Sequence, residues 1–117
     1  MSSKISIILN NIHCNNTSER GHDEVYIKYS VDGGRDSRFP SNGYHSMANG
    51  DNWDPGLIIS YSSSAVVGLY DEDTLGDEFL GSHTYTTADP QPETVPVSNT
   101  NGASYTLSTA LTPATQG

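Results

Sequence analysis

The chain has little with which to cross-link itself. Its 117 residues include one cysteine, Cys14, which excludes an internal disulfide and a thiolate zinc cluster. A small domain without disulfides points to a cytoplasmic origin, or to a leaderless-secreted one stabilised in another way. Basic residues are also scarce: 5 Lys and Arg stand against 14 Asp and Glu, a formal net charge of −9. Nucleic acid is therefore a poor partner, because binding phosphate needs a basic stripe. A bare anionic membrane is disfavoured too, unless a bound cation reverses the local sign. Long apolar runs are missing. The segment "ISIIL" (5–9) is too short for a signal sequence or a membrane span, so no transmembrane segment is expected.

Sustained helical periodicity is lacking as well. What recurs is period-two alternation bounded by turn residues, the pattern of strands with one face buried. "KISIILN" offers Ile5, Ile7 and Leu9 to one face, and "EVYIKYSV" offers Val25, Ile27, Tyr29 and Val31 with Tyr26, Lys28 and Ser30 opposite. "LIISY", "AVVGLYD", "FLGSHTYT" and "SYTLSTAL" complete the set. Between them lie turn clusters: "DGG" (32–34), "FPSNG" (39–43), "NGDNWDPG" (49–56), "SSS" (62–64) and "NTNG" (99–102). The segment "ADPQPETVP" (88–96) reads as a loop or an edge, since proline cannot donate to a ladder. Hydrophobic residues make up 33% of the chain, enough for a modest core. One domain over residues 1–117 is expected, an all-β antiparallel sandwich of seven to eight strands.

The charge that is present is concentrated. Five carboxylates, Asp71, Glu72, Asp73, Asp77 and Glu78, fall within eight positions. Like charges about 4 Å apart repel by roughly 1 kcal/mol per pair even in bulk water. Either the segment is a solvated turn, or a cation is meant to sit among them. Asp71 and Asp73 point the same way if the backbone there is extended, and Gly76 permits a reversal that returns Asp77 and Glu78 toward them. Such a loop supplies several of the six to eight oxygens that calcium takes. An EF-hand is excluded: its fifth position would be Leu75 and its twelfth Ser82, and the flanks read as strands. A second acidic group, Asp23 and Glu24, opens a strand after a loop spanning about His13 to His22. Alone it reads equally as a charged guard on an edge strand.

Together, "GHDEVYIKY" (21–29) and "VVGLYDEDTLGDEFLGSH" (66–83) resemble a C2 domain, a likeness that covers mainly residues 12–31 and 65–87. The resemblance implies an eight-stranded antiparallel sandwich whose loops at one end bind calcium. It implies Asp23 as the acid before the "YIK" strand, Asp71 and Asp73 as the paired acids of the later loop, and Asp77 or Glu78 as the acid near its end. Glu24 is a further candidate. Where the family usually places another aspartate in the first loop, this chain has "NNTSE", so Asn16, Glu19 or a backbone carbonyl stands in that position. One ion bridging the 13–24 and 71–78 loops is expected.

No other residue carries comparable chemistry. His13, His22, His45 and His83 are scattered without a metal-ligand spacing and read as surface or hydrogen-bonded structural residues. Trp53 is expected to cap one end of the core rather than to form an exposed stacking platform for a sugar or a wedge for a membrane. Tyr44 and His45 could contribute a polar surface, and Cys14 reads as a small buried residue. No nucleophile-elbow sequence is present, and an enzyme is not expected. The expected function is a non-catalytic calcium module whose loop end docks a lipid headgroup or a protein partner. The alternatives are a small calcium-dependent lectin binding carbohydrate, and a structural or assembly module with a stabilising ion.

Overall fold

Alternation becomes strand wherever it runs unbroken. The structure is a computed structural model that describes residues 4–112. Its strands are β1 (Ile5–Asn16), β2 (His22–Val31), β3 (Ser37–Phe39), β4 (His45–Ala48) and β5 (Asn52–Trp53). They are followed by β6 (Leu57–Tyr61), β7 (Ser64–Asp71), β8 (Glu78–Thr86), β9 (Glu93–Ser98) and β10 (Ser104–Leu111). The described residues contain no helix long and apolar enough to cross a membrane.

Among the described residues, ten strands occupy eight positions. In the first sheet β1 lies between β10 and an edge made of two pieces: β6 pairs with Ile5–Leu9, and β5 pairs with Ile12–His13. The other side of β10 carries β9. In the second sheet β2 lies between β7 and a divided edge, with β4 along His22–Val25 and β3 along Ile27–Tyr29. Beyond β7 lies β8. All these pairings are antiparallel, so the expected two-sheet sandwich is what the chain forms. The segment 88–96 supplies the start of β9, an edge strand, where Pro96 leaves no central ladder short of a donor.

One boundary differs from the sequence reading. β1 does not stop near Asn10 but runs to Asn16, so residues 13–16 are strand rather than loop. Its pairing with β10 slips between Leu9 and Asn11, and the extra residue switches the inward set from Ile7 and Leu9 to Ile12 and Cys14. A bulge of this kind inserts one residue and turns the strand's faces over. All four of these residues are fully buried. Their partners across the sandwich include Val25, Ile27, Val67, Leu69 and Leu80. Each such side chain contributes about 1.5–3 kcal/mol on burial. Trp53 packs on the margin of this core, stacked on His45 at 4.8 Å between ring centroids and more loosely on Phe39 at 6.2 Å.

β8 and β9 are edges of opposite sheets, and Gly81 lets them meet. Its φ is +138°, a conformation that side chains rarely adopt. A Cβ there would lie 2.5 Å from the Ser98 backbone nitrogen and 2.9 Å from the Val97 carbonyl carbon. Backbone cannot swing away as a flexible side chain can, so strain and overpacking combine. Gly81→Ala is expected to cost about 3 kcal/mol and to lower the melting temperature by roughly 10 °C, read by thermal denaturation; an unchanged melting temperature would refute the close approach.

Candidate metal centre at the loop end

The inward faces of β2 and β7 end in acid. On β7 the buried positions Ala65, Val67 and Leu69 are followed in phase by Asp71, and on β2 Asp23 precedes Val25 and Ile27 in phase. Asp23 is 0% and Asp71 1% exposed. The two strands are neighbours, with Val25 opposite Asp71, so both carboxylates enter the same end of the sandwich. Alternation, which elsewhere places Val and Leu inside, here places two aspartates.

Each carboxylate is held by specific donors. Asp23 Oδ2 accepts the Tyr105 hydroxyl at 2.6 Å, from the facing sheet, and the Ser18 backbone N–H at 2.9 Å. Asp23 Oδ1 accepts the Glu19 N–H at 3.1 Å. The turn after β1 is thus fastened over the core by one side chain. Asp71 Oδ1 accepts the Glu24 N–H at 2.7 Å. Glu19 closes the group: one carboxylate oxygen from each of Glu19, Asp23 and Asp71 lies within 4.8 Å of the others.

No Lys or Arg forms an ion pair with these three among the described residues. Burial pushes the Asp71 carboxyl up to about 8, with the hydrogen bond to Glu19 adding to the rise and the Glu24 N–H opposing it. Two carboxyl groups this close, away from water, need a shared proton or a cation between them.

The other expected ligands make different contacts. The chain leaves extended geometry after Asp71, so the same-side argument for Asp73 does not apply; Asp73 Oδ1 instead accepts the Leu75 N–H at 3.3 Å inside the turn. Asp77 faces the outside of the second sheet. It accepts the Tyr26 hydroxyl and, at 3.0 Å, the Asp73 N–H. That phenol bond holds the Asp77 carboxyl below its usual range, while burial followed by the same bond raises Tyr26 to about 12. Glu72 is paired with Arg38 at 2.8 Å, and the Arg38 guanidinium lies 3.6 Å above the Tyr26 ring. Glu24 lines a shallow recess with Glu72, Asp73 and Thr74.

Glu78 acts as a tie between loops. Its Oε1 accepts the Ser18 hydroxyl at 2.6 Å, and its Oε2 accepts the Asn101 side-chain amide at 2.6 Å. Asn16 donates to the Gly102 carbonyl at 2.7 Å, a second tie to the 99–102 turn. The crowded acids therefore divide into an inward set without a countercharge and an outward set supplied with Arg38 and a phenol. Of the six residues Asp23, Glu24, Asp71, Asp73, Asp77 and Glu78, the structure brings Asp23 and Asp71 together. It adds Glu19, one of the candidates for the first loop. Tyr105 and Ser18 were not foreseen as partners, although Tyr105 stands in phase with the buried Leu107.

No sequence-family model matches the chain, and no curated protein sequence matches it. Solved structures do. A C2 domain of plant extended synaptotagmin 1 is similar at a TM-score of 0.62 with 12% identity, over 98% of each chain. A structure described as a C2 domain is similar at 0.53 with 13% identity, over 94% of this chain and 98% of that one. Human GIVD cytosolic phospholipase A2 matches at 0.54 with 9% identity; 95% of this chain covers 17% of that enzyme. At these identities the likeness is one of fold, and the fold is C2-like.

The Asp71 carboxyl gives the loop end a sign of pH dependence that can be read without any ion. Its folded value lies above the ordinary 3.8, so the folded state keeps a proton that the unfolded chain releases. The contribution is fully present below about pH 4 and is lost as pH rises toward about 8. In chelator-treated protein the melting temperature should fall by several degrees from pH 5 to pH 8, and Asp71→Asn should flatten that fall. A fall of the same size in both proteins would assign it to other groups.

Proposed function

We propose that this C2-like sandwich is a non-catalytic calcium-binding module, with Glu19, Asp23 and Asp71 as the carboxylates that hold the ion. The observation that carries the reading is the burial of Asp23 and Asp71 beside Glu19 with no basic residue paired to them among the described residues. The donor set is all oxygen, and hard oxygen ligands suit calcium. Asp23 would act in two ways at once, since its hydrogen bonds also fix the turn that carries Glu19. The similarity in fold to C2 domains supports the same reading.

Docking would take place at the loop end. Neutralising three carboxylates there removes repulsion between a net −9 chain and an anionic surface. Leu75 stands 96% exposed at the tip of the 72–77 turn and Phe79, 44% exposed, lies just beyond it. An apolar tip beside a cation site suits a lipid headgroup region; the alternative occupant is a protein partner. Nothing favours a lectin: the Trp53 ring is stacked on His45, which occupies a face that a sugar would need.

Calcium supplied at about 100 times its dissociation constant should stabilise the protein by roughly 2.7 kcal/mol. That corresponds to a melting rise on the order of 10 °C for a chain of this size, and magnesium should give less. Asp71→Asn should abolish most of the rise. Asp73→Asn marks the boundary: a rise that survives it confines the site to Glu19, Asp23 and Asp71, and a rise that is lost extends it into the turn. Equal melting temperatures in calcium and in chelator would overturn the proposal. Calcium-dependent sedimentation with phosphatidylserine vesicles, weakened by Leu75→Ser, tests the lipid surface separately.

A further inference from the structure

The opposite end of the sandwich repeats the same departure from alternation with different chemistry. After Gly81 the inward positions of β8 are His83 and Tyr85, and the inward set of β9 begins with Glu93 before Val95 and Val97. Asp89 enters from the turn that joins these two strands. His83 Nε2 lies 3.9 Å from Asp89 Oδ2, and one ligand atom from each of His83, Asp89 and Glu93 lies within 4.8 Å of the others. All three side chains are half-buried.

Two polar atoms here are shut off from solvent with no hydrogen-bond partner among the described residues: His83 Nε2 and the hydroxyl of Tyr85. Tyr85 itself is 0% exposed, and its ring meets that of His83 edge-on at 4.5 Å between centroids. Burial raises the Tyr85 phenol, with the Glu93 charge adding to the rise and the neighbouring Thr109 side chain opposing it. A fold normally satisfies such groups, and each that is left unmade is costly. The carboxylates, by contrast, are already oriented. Asp89 Oδ2 accepts the Thr86 N–H at 2.9 Å, and Glu93 Oε1 lies 3.4 Å from the Gln91 amide nitrogen. Gln91 is fixed in turn by the Thr109 hydroxyl at 2.8 Å.

We propose that His83, Asp89 and Glu93 form a binding site for a divalent transition-metal ion of the zinc type, separate from the calcium centre. One imidazole with two carboxylates is a borderline donor set that favours such an ion over calcium, which prefers oxygen alone. Three protein ligands leave a position for water, and the Tyr85 hydroxyl is the available donor to it. Ligands supported by outer hydrogen bonds are the usual form of such sites. The ion would join the edge of one sheet to the edge of the other, because β8 and β9 belong to different sheets. Its role would be that of a clip between the sheets.

The test uses the whole chain, stripped with chelator and then titrated with zinc chloride by calorimetry, with cobalt as an optical probe. Wild type should bind one equivalent and melt higher with zinc, and Asp71→Asn should behave the same. Outer-shell changes at metal sites cost 10- to 100-fold in affinity, so loss of a ligand in His83→Gln or Glu93→Gln should cost at least about 100-fold. Should those variants fail to fold, imidazole nitrogen resonances of wild type decide: zinc should shift His83 Nε2 and leave His13, His22 and His45 unmoved. The proposal is overturned if wild type binds no stoichiometric zinc, if folded His83→Gln binds as wild type does, or if the shifted resonances belong to the other histidines.

Discussion

Two carboxylates stand on inward positions of adjacent strands with no basic residue paired to them among the described residues, and the loop end is organised around that fact. Asp23 is tied to the facing sheet through Tyr105 and to the first turn through two backbone donors. Asp71 is tied to the next strand through the Glu24 N–H. Those bonds keep the carboxylates from turning outward to water, as unpaired acids otherwise would. The cost of holding them inside falls on the proton balance of Asp71, whose carboxyl is raised by its own burial. Tyr105 and Ser18 bond Asp23 directly, and Glu78 reaches the same turn through the Ser18 hydroxyl.

The fold was legible in the sequence where one strand face stayed apolar for several steps. β2, β6, β7 and β10 satisfy that condition, and their inward residues are those that alternation selects. β3, β4 and β5 do not, being two to four residues long inside turn-rich segments and existing only as pairing partners of β1 and β2. The late part of β1 was hidden because its bulge interrupts the period. Asp23 and Asp71 could be read both by phase and by resemblance. Asp73 looked equivalent to them because spacing by two assumes a continued strand, and Asp77 because a reversal at Gly76 was expected to return it, whereas the backbone turns after residue 71 and Asp77 bonds Tyr26 on the outer face. The grouping of His83 with Asp89 and Glu93 depends on two edge strands meeting, and no short spacing encodes that.

Both ends of the core are closed by polar groups, but by opposite means. At the loop end, separate turns are brought together by Ser18, Glu78, Asn99 and Asn101. At the other end Asp32, at φ 52°, accepts the backbone N–H groups of Ser62, Ser63 and Ser64, and these bonds hold its carboxyl down at about 2. Neutral donors supply what that exposed carboxylate requires. Asp23 has three such donors as well, but Asp71 beside it accepts the Glu24 N–H alone among the described residues, and that shortfall separates a structural turn from a candidate ion site.

The bulge in β1 also bears on how such a strand can change over time. Because an added residue near Asn10 swaps the strand's faces, the halves before and after it are independent in parity. Losing that residue would leave composition and charge almost untouched, yet it would turn Ile12 and Cys14 out of the core and Asn11 and His13 into it. A point substitution along β1 alters one site, whereas a change of length there alters every site beyond it. The strand therefore counts residues, and its sequence can drift only within a fixed count.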